Sequence, residues 1–201
     1  MNEIIRLPMT RPTTQAADGI PRLQWSLAEF ERLCELGVLT EADRIELIGG
    51  ELVPMSPKGI RHEIVRDGIM NWLVRHLPAN VRLASEIGWR PGGTGYLEPD
   101  FLLYPSGHTA VGVAPAEVLL VIEVASSSLA YDTGVKARTY AALGVREYWV
   151  IDASTLATHV FRDPAGEGYG SVSVAPPDQA IAAIFVQPLA LRLDALDIAD
   201  A

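Results

Sequence analysis

Two carboxylates and one amine in this sequence lie where apolar strands and a helix are expected. Asp100 directly precedes the apolar run Phe101–Tyr104, and Glu123 lies in the apolar run Val118–Val124. Segments that are apolar on both faces are typical of covered central strands. An ionised carboxylate in such a strand is unfavourable unless it is paired with a cation or binds a metal. Lys136, thirteen residues after Glu123, supplies a positive charge from the next predicted helix.

These three residues are suited to hydrolysis of phosphate esters. Hard cations such as Mg²⁺ prefer oxygen ligands, often one or two carboxylates together with water and substrate phosphate. Asp100 and Glu123 supply two such carboxylates, and the backbone carbonyl of Val124 supplies a third oxygen. A cation held there polarises a phosphoryl oxygen and lowers the pKa of bound water. Lys136 is suited to orienting that water or to stabilising developing negative charge.

The same residues are also compatible with purely structural roles. Glu123 could reach solvent at the end of its strand, and Asp100 could follow Pro99 simply because the strand begins there. Asp132, Lys136 and Tyr140 are spaced by four, so they share one helical face, and Asp132 with Lys136 could be an ordinary surface pair. Structural ion pairs are common, so the residues alone leave both interpretations open.

Two other groups of polar residues carry weaker signals. His62 shares a helical face with Val65 and Ile69, a position more typical of a core or capping histidine than of a ligand. The run Ser126–Ser128 contains potential nucleophiles, but its position after a strand favours a role at the start of the next helix.

Composition limits the class of protein. The chain has 201 residues, 49% of them hydrophobic, which is enough for one domain with a full-sized core. The net charge of −9 argues against a general nucleic-acid binder, although a local basic groove remains compatible with it. Cys34 is the single cysteine, which excludes a disulfide framework within the chain and a cysteine-based zinc site. The sequence has neither signal-peptide features nor an apolar stretch of about 20 residues, so we expect a cytoplasmic protein without membrane contact.

Periodicity and turn signals predict the order of the elements. Ser26 with Glu29 forms a capping-box pattern, and Gly49-Gly50 is typical of a tight hairpin. We expect an extended arm over residues 1–24 and a single domain over 25–201. The predicted elements are helices over 26–37, 59–77 and 129–143, and strands on both sides of 49–50 and over 81–89, 97–104, 118–124, 147–152, 158–162, 171–174 and 184–193.

Several of these segments together resemble one known family. The motifs are Glu46–Leu52 with Met55 and His62, Pro99-Asp100, Val121–Val124 with Ser126, Asp132, Lys136 and Tyr140, and Gly144–Asp152. In this order they are similar to the Uma family of restriction endonucleases. The resemblance covers about residues 26–165, and the Glu-Tyr-Trp strand beginning at Glu147 is its most specific part.

The resemblance implies an α/β fold of the restriction-endonuclease-like type, the PD-(D/E)xK superfamily. Its αβββαβ core has a mixed sheet flanked by helices, here with an N-terminal helix and hairpin and extra C-terminal strands. The usual lysine of the superfamily motif would fall at Ala125, and the resemblance implies that Lys136 replaces it. The implied catalytic residues are Asp100, Glu123 and Lys136, with Asp100, Glu123 and the Val124 carbonyl as metal ligands. Possible accessory residues are Glu51, His62, Glu63, Ser126, Asp132 and Tyr140.

The family resemblance further implies Mg²⁺ or Mn²⁺ as cofactor and DNA as substrate. We also expect a homodimer, because two catalytic sites could then act on the two strands of a DNA duplex. The main alternative is a binding or scaffold protein that keeps the nuclease fold without catalysis. The negative charge and the displaced lysine both favour that alternative somewhat. A third interpretation is an enzyme acting on RNA or on a small phosphoester. Metal affinity separates an intact site from an inactive scaffold.

Overall fold

The computed structural model describes residues 12–14, 21–166 and 168–198, and these residues form two compact units. The first unit contains the residues up to Pro54 together with Gly92–Tyr96. The second contains Met55–Pro91 and the residues from Leu97 onwards. The predicted division into an arm and a single domain stays a prediction, and residues 1–11 and 15–20 of that arm lie outside the described part of the chain.

The first unit contains the predicted N-terminal helix and hairpin. Its elements are β1 (Thr13–Thr14), β2 (Arg22–Leu23), α1 (Leu27–Glu35), a 3₁₀ turn (Glu41–Asp43), β3 (Ile45–Ile48) and β4 (Glu51–Pro54). The capping box is present, because the Ser26 hydroxyl accepts from the Glu29 amide while the Glu29 carboxylate accepts from the Ser26 amide. Gly49 and Gly50 have φ of +59° and +87°, a left-handed conformation that glycine adopts without steric cost. They turn β3 into β4, which pair antiparallel.

The second unit contains the remaining helices and most of the remaining strands. Its helices are α2 (Ile60–His76), α3 (Leu129–Tyr131) and α4 (Ala137–Leu143), with a π-helical turn (Asp132–Lys136) between the last two. The strands that follow β4 are β5 (Val81–Ala84), β6 (Trp89–Gly92), β7 (Gly95–Leu97), β8 (Phe101–Pro105), β9 (Leu120–Ala125), β10 (Glu147–Asp152), β11 (Thr158–Ala165), β12 (Gly168–Ala175), β13 (Ile181–Ala182) and β14 (Ala190–Leu191). Two further 3₁₀ turns are Pro115–Glu117 and Leu193–Ala195. The chain leaves the second unit within β6, after Pro91, and returns to it within β7, at Leu97.

A six-stranded mixed sheet forms the centre of the second unit. Its strand order is β12-β11-β10-β9-β8-β5. Strands β9 and β10 are parallel, joined through α3 and α4, and the other neighbours are antiparallel. The order along the chain is therefore α2, β5, β8, β9, the α3–α4 helix and β10, which is the predicted αβββαβ core.

Each face of this sheet carries a helix. Val65, Ile69 and Leu73 of α2 are fully buried in one core cluster with residues of β8, β9, β10 and β11. On the opposite face, Tyr140 of α4 packs against Tyr148 of β10 with ring centroids 4.7 Å apart. Because successive side chains of a strand point to opposite faces, Ile122 and Val124 enter the α2 cluster and Glu123 faces α4.

Most sequence-predicted elements are confirmed within one or two residues. The strand Glu147–Asp152 has the predicted bounds, and Tyr148 and Trp149 are core residues with no exposed surface. The predicted helix over 129–143 forms and ends at Gly144, whose φ is +84°. It contains one feature that the sequence pattern did not predict, the π turn in its centre. Among the described residues, no helix combines the length and the apolar character needed to cross a membrane.

The strands predicted over 158–162 and 171–174 form but are longer, Thr158–Ala165 and Gly168–Ala175. Three other predicted strands are wrong in their bounds. The strand over 81–89 is divided, because Glu86 has φ of +52°, which extended backbone does not allow. The strand over 97–104 is divided at Pro99, which has no amide to donate to a ladder, so β7 and β8 are separate. The strand over 184–193 is replaced by the short pair β13 and β14, with Ile184 and Phe185 exposed between them.

Candidate metal-binding and catalytic site

Asp100 and Glu123 lie opposite each other where β8 and β9 pair. Phe101 pairs with Ile122, so one step further along the antiparallel register brings Asp100 beside Glu123. The Asp100 amide donates to Glu123 Oε2 at 3.2 Å, and the Val124 amide donates to Asp100 Oδ2 at 2.8 Å. Each carboxylate thus accepts a backbone hydrogen bond from the other strand. The structure brings the two predicted acids together, each only 4% exposed.

Glu123 is held from the opposite side by the helix that follows its strand. Lys136 Nζ donates to Glu123 Oε1 at 2.9 Å, and the Tyr140 hydroxyl donates to the same oxygen at 3.0 Å. Lys136 is 7% exposed and Tyr140 is fully buried. The ammonium offsets the cost of burying the Glu123 carboxylate. The lysine predicted from the helix therefore reaches the second acid, although it is displaced along the sequence.

Lys136 is the last residue of the π turn between α3 and α4. The Ala137 amide donates to the Asp132 carbonyl five residues earlier, which widens the helix by one residue at this point. Such turns within helices are frequent at functional sites. Asp132 is buried, its carboxylate accepts from the Ser128 hydroxyl at 2.6 Å, and its carbonyl accepts from the Tyr148 hydroxyl at 3.1 Å. Asp132 therefore contributes to the position of this turn.

Asp100 has a second set of partners from the segment that begins α2. His62 Nε2 lies 3.1 Å from Asp100 Oδ2, and Lys58 Nζ lies 3.3 Å from Asp100 Oδ1. His62 is 6% exposed. It lies on the apolar side of α2, as the sequence indicates, and it also contacts a candidate ligand. The helix therefore contributes a polar residue at its N-terminal end and core residues further along.

The charge state of Asp100 follows from these contacts. Burial raises the pKa of the Asp100 carboxyl, but the hydrogen bond and charge of His62, the Val124 amide and the charge of Lys58 together outweigh burial. The result is a pKa lowered to about 2 from the ordinary 3.8. Asp100 is therefore a carboxylate at neutral pH, which is the form that binds a metal.

The arrangement fits a magnesium-type site with few protein ligands. Among the described residues, no group of three or more His, Cys, Asp and Glu side chains is arranged to hold a metal ion. Mg²⁺ commonly takes one or two carboxylates and completes its shell with water and phosphate. Asp100 and Glu123 supply two such carboxylates side by side, each bonded to the backbone amide of the other strand. The chemistry of the donor set therefore fits a hard divalent cation.

The other predicted accessory residues are placed as follows. Glu63 contacts Arg66 at 2.9 Å and lies 3.5 Å from His62 Nδ1. Burial raises the pKa of the Glu63 carboxyl, but the hydrogen bond and charge of Arg66 outweigh burial, so the pKa is lowered. Ser126 is exposed beside Gly59, next to the start of α2. Glu51 belongs to the first unit, where its carboxylate accepts from the Thr14 hydroxyl.

Two residues at this site were missed by the sequence analysis. Lys58 contacts both Asp100 and Glu86, and Glu86 follows β5. One signal for Lys58 was available, because the chain has only two lysines among its 16 basic residues. Both of them contact a candidate ligand, Lys58 at Asp100 and Lys136 at Glu123. Glu86 had no comparable signal, because its position depends on a turn within a predicted strand.

Comparisons with known proteins identify the family and the fold. The family model Uma2, described as putative restriction endonuclease, matches residues 27–194. The structure is similar to that of a putative nuclease belonging to DUF820 from Anabaena variabilis, with a TM-score of 0.60 and 18% identity over 84% of this chain and 95% of that chain. No curated protein matches the sequence. The chain therefore belongs to the Uma2 family of putative restriction endonucleases and has the restriction-endonuclease-like fold.

Proposed function

We propose that this protein is a divalent-metal-dependent endonuclease that hydrolyses phosphodiester bonds in DNA. The observation that carries the proposal is the pairing of Asp100 with Glu123 at one end of β8 and β9, with Lys136 bonded to Glu123. Family membership supports a nuclease, and the family description supports DNA as the substrate.

The roles of the residues follow from their chemistry. Asp100 and Glu123, with the Val124 carbonyl, would hold Mg²⁺ or Mn²⁺. The bound cation supplies charge stabilisation at the phosphate and a water of lowered pKa. Lys136 is 2.9 Å from Glu123, so its ammonium is available beside the ligand to orient the attacking water and to stabilise negative charge as it develops. Tyr140 fixes the carboxylate through its hydroxyl.

A catalytically inactive binding or scaffold protein is the second candidate. It is favoured by the fact that each acid already has an ammonium partner, Lys58 for Asp100 and Lys136 for Glu123. The net charge of −9 also opposes tight binding to phosphate backbones. This candidate predicts no saturable binding of Mn²⁺ at micromolar to millimolar concentrations.

The decisive experiment is nicking of supercoiled plasmid with Mg²⁺ or Mn²⁺. Wild-type protein should convert the plasmid to the open circular form, and EDTA should stop the reaction. Glu123→Gln should lose activity, while Glu117→Gln, the same change at an exposed residue, should keep it. An inert wild type that also binds no Mn²⁺ by calorimetry would falsify the proposal in favour of the scaffold. Cleavage of RNA with intact plasmid would keep the site and change the substrate.

A homodimer is part of the proposal, because two sites in one assembly can address the two strands of a duplex. The edge strand β12 supports it, since Ser171–Val174 are exposed and uncharged, and such an edge is a template for pairing with another chain. Sedimentation should give a dimer for the wild type and a monomer for Val174→Lys. A wild type that sediments as a monomer at concentrations where it nicks DNA would contradict this part. The cytoplasmic location stays a prediction from the sequence.

A further inference from the structure

Lys58 connects two carboxylates at the candidate site. Its ammonium contacts Asp100 Oδ1 at 3.3 Å and also forms a closer contact with Glu86. Its side chain is 18% exposed, whereas that of Asp100 is 6% exposed. Lys58 therefore lies at the solvent side of the buried acid and provides it with a positive charge.

The backbone and the side chain of Glu86 both hold it beside Asp100. The Glu86 amide donates to the Pro99 carbonyl at 3.1 Å, and the neighbouring Ser85 hydroxyl donates to the Asp100 carbonyl at 2.8 Å. The Glu86 carboxylate also lies 3.4 Å from Arg66. With 38% of its side chain exposed, Glu86 is a stable carboxylate partner close to solvent.

The two lysines of the site differ in their freedom to move. The side chain of Lys136 is 9% exposed and shares the Glu123 oxygen with a buried tyrosine hydroxyl. Lys58 belongs to the non-helical segment before α2 and has a second carboxylate within reach. A lysine with a flexible four-carbon stem can give up one partner at small cost when the other remains.

We propose that Lys58 is the resident counter-cation of Asp100 and that Glu86 is its alternative partner. Asp100 exchanges the Lys58 ammonium for the divalent cation, and Lys58 keeps its contact with Glu86. Before the metal arrives, the Lys58 ammonium compensates the charge of a carboxylate that is only 4% exposed. This inference rests on the proposed function, because it assumes that Asp100 binds a divalent cation.

The sequence contains only two lysines, Lys58 and Lys136, so NMR of labelled lysine gives only two sets of side-chain signals. The protein is labelled with ¹³C-lysine, and the side-chain Cε–Hε resonances are recorded during titration with Mg²⁺. Lys58→Met and Lys136→Met assign the two signals. The Lys58 signal should move with the same midpoint that calorimetry gives for Mg²⁺. In Asp100→Asn without metal, it should already lie near its position in the metal-loaded wild type, because Lys58 then contacts Glu86 alone of the two acids.

A second measurement gives the energetic consequence. Lys58→Met should lower the Kd for Mn²⁺ by about tenfold, since the cation no longer competes with a charge-assisted hydrogen bond. Arg138→Met removes the same charge from an exposed position on α4 and should leave the Kd unchanged. Glu86→Gln, which keeps the shape of the side chain, should shift the metal-loaded Lys58 signal toward that of a solvent-exposed lysine.

The outcomes separate the inference from the proposed function. If the wild type binds neither Mg²⁺ nor Mn²⁺, both are overturned. If calorimetry shows saturable binding while the Lys58 signal stays fixed, or if Lys58→Met and Arg138→Met have equal affinity, the inference alone fails. A Lys58 signal that moves in the wild type and is pre-shifted in Asp100→Asn supports it.

Discussion

Two buried glutamates on neighbouring parallel strands of the same sheet differ in their partners. Glu123 on β9 is 4% exposed, and Glu147 on β10 has no exposed surface. Glu147 accepts from the Arg162 guanidinium at 2.6 and 2.9 Å, from the Trp149 indole at 3.0 Å and from the Ile184 amide at 2.8 Å. Glu123 accepts from Lys136, Tyr140 and the Asp100 amide.

The difference separates a structural carboxylate from a candidate catalytic one. Glu147 pairs with an arginine from the adjacent strand β11, and the planar guanidinium donates two hydrogen bonds to one oxygen, so its charge is compensated within the sheet. Glu123 pairs with a lysine from a different element and has a second carboxylate beside it. Burial and a cationic partner are thus common to both, and the neighbouring acid is what distinguishes Glu123.

The largest expected effect is on catalysis. Lys136→Met should lower the rate of plasmid nicking about 10²- to 10³-fold, the usual cost of removing one charge-stabilising group. Arg162→Met removes the cation from the other glutamate and should leave the nicking rate of the folded protein unchanged. Circular dichroism would establish that both variants are folded under the assay conditions. Loss of nicking in folded Arg162→Met would remove the distinction between the two glutamates.

Arg162→Met should instead lower stability. It leaves the fully buried Glu147 carboxylate without its cation, which costs about 3 kcal/mol in comparable cases. The free energy of unfolding in urea measures this. Arg162→Lys should recover only part of the loss, because an ammonium does not reproduce the two guanidinium hydrogen bonds. A variant as stable as the wild type would mean that Glu147 needs no charge compensation.

Protonation of Asp100 at low pH should lower the free energy of unfolding. The pKa of Asp100 is about 2 in the folded protein, compared with the ordinary 3.8. The ionised carboxylate therefore stabilises the folded protein fully at pH values above 3.8. This stabilisation is lost as the pH falls through the pKa of the folded protein. Between about pH 5 and about pH 2 the loss attributable to Asp100 is about 2 kcal/mol. Urea unfolding across this range should show a smaller acid dependence for Asp100→Asn than for the wild type. Asp178 is exposed, so Asp178→Asn should show the same pH dependence as the wild type. If the free energy of unfolding changed equally with pH in the wild type, Asp100→Asn and Asp178→Asn, the assigned pKa would be wrong.

The smallest effect concerns single hydroxyl groups. Tyr140→Phe removes one donor to Glu123 and should lower the free energy of unfolding by about 1 kcal/mol and slow nicking severalfold. Tyr169→Phe is the matched control, because its partly buried hydroxyl donates to the Val145 carbonyl instead. It should cost similar stability and leave the nicking rate closer to that of the wild type. Equal rates for the two variants would show that the Tyr140 hydroxyl has no functional role.

Local signals predicted the elements whose information is contained in a few neighbouring residues. The capping box of Ser26, the Gly49-Gly50 hairpin and the Gly144 helix end are of this kind. The strand over 81–89 was wrong because the left-handed Glu86 is stabilised by contacts with residues 99–100, which no local window contains. The π turn was missed for the same reason, since the side chains around it are fixed by β9 and β10.

The sequence alone determined the alternation that leaves Asp100 and Glu123 bordering apolar strands, the order of the core elements and the rarity of lysine in an arginine-rich chain. These are properties of residue type and spacing. Only the tertiary structure decided that Lys58 and His62 contact Asp100, that Lys136 reaches Glu123 across a π turn, and that Glu86 lies beside the site. Such contacts join residues up to 42 positions apart, and their geometry depends on strand register and helix packing rather than on any local pattern.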